Sequence, residues 1–224
     1  MTEPLRLGAV ADAGAFLARV VRLDPQALVR LRPYGDGSVA LWTWLNVGVL
    51  AVRVVPGTGP ADVVVSASGL LDALASEAVV PGAVVPGAVV PGVVLPPRRD
   101  AEWRGPLPGP GFRRLDVLPP DAVERLAVAG ERTFKEAVAA GAGRSRSGAR
   151  ALTDAVLDHV AVAVTGPGDE SADVPQRAVQ TLVSLGFLGP DPVAVDVTAA
   201  WLRLVGTYGA VHLRRGTGLG VLAR

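Results

Sequence analysis

The sequence predicts an α+β protein of two related modules, each a small antiparallel sheet packed with helices in α-β-β-β order. A linker rich in Pro, Gly and Val joins them. Three observations support this. Apolar runs of period two come in groups beside helical repeats, without strict strand–helix–strand alternation. The order helix, proline, strand, tryptophan-bearing strand, strand occurs twice, over 16–54 and again over 176–215. Between them, 78–111 follows neither period. The expected boundaries are therefore 1–77, the linker 78–111, and 112–224.

The first helix is marked by Asp12 as an N-cap, by Phe16, Leu17, Val20 and Val21 at helical spacing, and by Pro25 as a stop. Leu28–Val55 then reads as three strands. Tyr34-Gly35-Asp36-Gly37 makes the first turn and Asn46–Gly48 the second. Val63–Ser66 is a fourth strand, and Ser68 is placed to cap a short helix over Gly69–Ser76.

The unit AVVPG follows three times and then frays into VVLPP. Pro-Gly favours the centre of a type II turn, and two valines between turns are too few for a strand. The composition resembles the VPG repeat of elastin. Three copies are too few for an elastomer, so duplicated chain tolerated in a loop is the simpler reading. The pentads thus mark where the fold accepts extra residues.

Asp121–Ala139 is the clearest helix, with Val123, Leu126, Ala127, Phe134 and Val138 as its stripe. A Gly/Arg/Ser loop leads to another helix, then VAVAVTG reads as a buried strand. GPGDESADVP reads as a loop and QRAVQTLVSLGFLG as a helix ended by Gly186 or Gly189. Two or three strands close the chain.

The segments FLARVVRLDP, VALWTWLNVGVLAVR, VQTLVSLGFLG and WLRLVGTYGAVHL carry a resemblance that covers most of the chain outside the pentads. With them the chain resembles uncharacterised two-part proteins of high-GC bacteria, whose parts are domains of unknown function. That resemblance implies no activity, ligand or catalytic residue.

Composition excludes several functions. There are no cysteines, so disulfides, thiolate catalysis and zinc–thiolate sites are ruled out. The formal net charge is +1, from 22 basic and 21 acidic residues. The balance holds in both parts: residues 1–100 carry eight arginines and eight acids, and residues 101–224 carry 14 basic residues and 13 acids. Nucleic acid is therefore expected to be an unlikely partner. No secretory signal or membrane-spanning run is read, and the cytoplasm is the expected location.

Trp42 and Trp44 share one face of a strand. Exposed, they would offer a stacking platform to a sugar or an unpaired base; buried, they would fill the core between sheet and helix. Arg144, Arg146 and Arg150 lie in a Gly/Ser loop ahead of a helix and could form an anion site, or simply a surface connection. Asp154, Asp158 and His159 would hold a cation or do acid–base work, or form a solvated helix end. His212 alternates with Arg214 and is expected to face solvent. GTGLG near the C-terminus precedes no helix, so it is no dinucleotide loop. No catalytic residue, metal ligand or cofactor site is expected. The leading expectation is a non-enzymatic protein-interaction or scaffolding module. The alternative is a small-molecule phosphate or single-stranded nucleic-acid binding module using the Arg144–Arg150 loop.

Overall fold

The computed structural model describes residues 4–78, 92–140, 145–168 and 170–215. The pentads and Arg144 lie outside these residues. The chain divides into two compact units, Met1–Leu107 and Pro108–Arg224. It is an α+β protein with antiparallel sheets. Among the described residues, no helix is long and apolar enough to cross a membrane.

In the first unit, α1 (Val10–Leu23) buries Ala13, Phe16, Leu17 and Val20. It starts before Asp12, which lies in the first turn and pairs with Arg53 rather than capping the helix. Four strands follow: β2 (Leu28–Pro33), β3 (Ser38–Leu45), β4 (Val49–Thr58) and β5 (Val63–Ser66). They lie in the order β5-β2-β3-β4, and β1 (Arg6–Leu7) pairs with the end of β4. Register places Val29, Leu31, Leu41, Thr43, Val55 and Val65 on one face, all fully buried. α1 covers that face together with α2 (Ala67–Ala78). The hydroxyl of Ser66, not Ser68, accepts the Gly69 N–H at 3.2 Å and caps α2. The opposite face carries Arg30, Trp42 and Trp44.

Residues 92–107 form a strap that belongs to this unit. The Val93 N–H donates to Leu5 O at 2.7 Å. The Arg99 N–H donates to Val64 O at 2.8 Å, and the Val64 N–H donates to the Asp100 carboxylate at 2.8 Å. Both outward main-chain groups of Val64 are thus satisfied, and the outer edge of β5 is closed.

In the second unit, β6 (Arg113–Leu118) precedes two helices, α3 (Pro120–Ala139) and α4 (Arg146–Asp158). The hairpin β7 (Val160–Thr165) and β8 (Ser171–Pro175) leads into α5 (Gln176–Ser184). β9 (Val193–Val197), β10 (Trp201–Gly206) and β11 (Gly209–Arg214) complete the sheet order β11-β10-β9-β6. Residues 113–118 and 171–175 therefore form strands where the sequence suggested a loop or nothing. α5 ends at Gly186, whose φ of 68° lets Gly186 and Phe187 donate back to Val183 and Leu182. Phe187, 1% exposed, then packs on the β10–β11 turn. There a Cβ on Gly206 would lie 2.3 Å from Phe187 O, and one on Gly209 would lie 2.7 Å from the Phe187 ring.

The apolar stripe expected along α3 is only half buried. Val123 and Ala127 are buried, while Phe134 is 36% and Val138 49% exposed. β7, read as a buried strand, buries Val164 but exposes Val160.

Candidate functional site

Each unit carries an arginine held between a carboxylate and an aromatic ring. On the outer sheet face of unit one, Arg30 donates to both Asp62 oxygens at 2.7 Å. Its guanidinium lies 5.7 Å from the ring centre of Trp103, which the strap delivers. Gly105 follows closely, within 3.2 Å of the Trp44 indole for a Cβ placed on it. Trp42 and Trp44 are consequently half-buried, with the strap lying against Trp44 rather than leaving an open platform.

In unit two, register aligns Arg114, Asp196, Arg203 and His212 across β6, β9, β10 and β11. The Asp196 side chain is 3% exposed. It accepts from Arg114 at 2.6 Å and from Arg203 at 2.7 and 3.0 Å. Arg203 stacks 4.0 Å from the Phe112 ring centre. His212 is buried, against expectation, because Phe112 and Trp201 close over it edge-on at 5.7 and 6.5 Å. Arg214, on the same face, remains exposed and stacks on Trp201 at 5.5 Å.

The helices of unit two enclose a groove of about 250 Å³, lined by Gly130, Phe134, Thr153, Val156, Leu157 and Gln176. Gln176 is buried and donates from Nε2 to Leu126 O at 3.0 Å. It fills the space that a side chain on Gly130 would take, since a Cβ there would lie 2.1 Å from Gln176 Nε2.

The remaining candidates are dispersed. Arg150 is exposed on α4, and Arg146 opens that helix. Asp158 pairs with Arg177 of α5, His159 O accepts the Gln176 N–H at 2.8 Å, and Asp154 is exposed. Asp154 and Asp158 are therefore not brought together on a cation: one is committed to tying α4 to α5.

Two carboxylates, Asp62 beside the strap and Asp100 within it, have lowered pKa values. The hydrogen bond from Arg30 holds Asp62 below the usual carboxylate range, against the opposing effect of burial. Asp100 is lowered by the hydrogen bond from Arg98, then by the Val64 amide. Their stabilisation is complete above the unfolded value of about 4 and is lost as pH falls through the lower folded values. Tryptophan fluorescence is expected to change over that acid range as Trp103 leaves Arg30. Asp62→Asn is expected to show the acid-form spectrum already at neutral pH. Superimposable pH profiles of parent and variant would refute the coupling.

The whole chain is similar in fold to bacterial DNA polymerase sliding clamps. Against the clamp of Caulobacter crescentus the TM-score is 0.54 at 11% identity, covering 100% of this chain and 69% of that one. Against the polymerase β subunit of Streptococcus pyogenes it is 0.57 at 11% identity, covering 96% and 64%. Against the Helicobacter pylori β clamp in complex with carprofen it is 0.54 at 10% identity, covering 95% and 63%. The chain thus spans roughly two thirds of the length of the clamp chains, and somewhat less for most of them. By sequence, residues 107–218 match the domain of unknown function DUF8185, and the chain belongs to that family. Residues 2–94 match a second domain of unknown function, DUF8010. No curated protein matches the chain.

The clamp likeness corrects three sequence expectations: the scaffolding module, its phosphate- or single-strand-binding alternative on the Arg144–Arg150 loop, and nucleic acid as an unlikely partner. The exclusion of nucleic acid leaned on charge, and a balanced charge count does not report a fold.

Proposed function

We propose that the chain is a clamp-type module that works on DNA beside a polymerase. The whole-chain likeness to sliding clamps supports this best, because it takes in both units rather than one. Charge suggests the manner of the contact. With 22 basic and 21 acidic residues, the chain would hold duplex DNA through shape more than through phosphate neutralisation. Each phosphate contact steepens the salt dependence by about 0.9 in log–log slope, so a slope shallower than about −2 is expected. Sedimentation with long duplex DNA across a salt series tests this. No association even at about 50 mM salt would end the reading. The two stretches α1–β4 and α5–β11 share the order α-β-β-β with a tryptophan in the middle strand, which favours descent from one repeated unit. On this reading the pentad segment is a spacer between them.

A further inference from the structure

Helix α4 packs without a buried face. From Gly148 to Asp158 none of its residues is buried, and Leu152, Val156 and Leu157 are half-covered. A helix with an apolar stripe gains most of its stability when that stripe meets a partner surface. Here the stripe borders the groove of about 250 Å³ between α3, α4 and α5. A second hollow of about 310 Å³ adjoins it, since Gly130, Val156 and Gln176 line both.

The cleft holds a buried polar side chain with an unused acceptor. Gln176 is 4% exposed. Its Nε2 donates to Leu126 O, which fixes which way the amide points. A Cβ on Gly130 would have Nε2, Cδ and Cγ of Gln176 as its three nearest neighbours, so Oε1 is turned away from α3. Among the described residues no group donates to that oxygen. A buried amide oxygen without a donor is costly, so an N–H or O–H entering the cleft would be held there. The other polar groups of the groove are engaged. Thr153 donates its hydroxyl proton to Ala149 O at 2.9 Å, Gln180 donates to Glu131 at 3.0 Å, and Lys135 faces Glu131 at 3.9 Å. The charges at the rim are thus matched.

We propose that this cleft binds a small neutral aromatic molecule carrying one N–H or O–H donor. The donor meets Gln176 Oε1, and the ring lies against Phe134, Val156 and Leu157. An apolar cavity of about 150 Å³ admits benzene, so the larger groove suits a two-ring ligand. An ion would enter without a counter-charge, which disfavours it. The bound ring gives the stripe of α4 the partner surface it lacks, so binding stabilises the second unit. The inference is independent of the clamp reading.

Indole is the probe, and indene is its counterpart of the same shape without the N–H. Calorimetric titration of the full chain is expected to give a Kd of about 0.1 mM for indole and about tenfold weaker binding of indene. Indole is also expected to raise the melting temperature. Thr153→Phe fills the groove from α4 and is expected to abolish binding of both while melting as cooperatively as the parent. Gln176→Met keeps the length of the side chain and removes the acceptor. In that variant the preference for indole over indene is expected to disappear, whereas a purely structural Gln176 would leave the ratio unchanged. Should Gln176→Met not fold, Thr153→Phe decides. No indole binding by the parent at about 5 mM, equal affinity of the parent for indole and indene, or undiminished binding by Thr153→Phe would each overturn the proposal.

Discussion

Trp201→Ala is expected to destabilise the second unit by about 3–5 kcal/mol, the range for removing a large aromatic side chain from a packed site. Trp201 is 6% exposed in β10. One edge meets His212, and the Arg214 guanidinium lies over the ring. Removing the indole would open a cavity on the charged side of the sheet and let water reach His212 and the neighbouring Asp196 row. Urea unfolding of the parent and the variant measures the effect. If both unfold at the same denaturant concentration, the ring contributes nothing to the core.

Gly206→Val is expected to cost about 3 kcal/mol, at the upper end of the usual overpacking range. A Cβ at Gly206 would meet the Phe187 carbonyl oxygen at 2.3 Å, a backbone atom that cannot swing aside as a side chain can. The turn and the end of α5 would have to separate. Phe187, which is fully buried, would lose its seat. A thermal melt unchanged from the parent would show that the turn yields freely.

The contrast between these positions and the sequence expectations has a physical basis. Strands β2, β3 and β4 were legible because alternating apolar residues match a sheet with one covered face. The end of α5 was legible because Gly186 supplies the positive φ that a helix end needs. Asp196 was not. A lone carboxylate in a strand reads as a solvent-facing residue, and its partner Arg114 lies 82 residues away. His212 misled for a related reason: it does share a face with exposed Arg214, but Phe112, 100 residues earlier at the very start of the expected second module, folds over it. β8 was hidden by Asp173 and Pro175, which disfavour strands locally and are overruled by pairing with β7. Among the proposed sites, the tryptophan pair was visible as a shared face. The strap against it was not, since its anchors depend on contacts far apart in sequence.

The strap also has a consequence for synthesis. Val64 enters the growing chain 36 residues before Asp100, the residue that closes its strand edge. At about 5–20 residues per second, the ribosome leaves that edge open for roughly 2–7 s. Throughout that interval the nascent chain displays the free amide and carbonyl groups of Val64 along the edge of β5, the kind of open edge on which other chains pair. The chain therefore passes through its greatest risk of misassembly before its second half has been made, and any factor that slows translation between those two residues would be expected to lower the yield of folded protein.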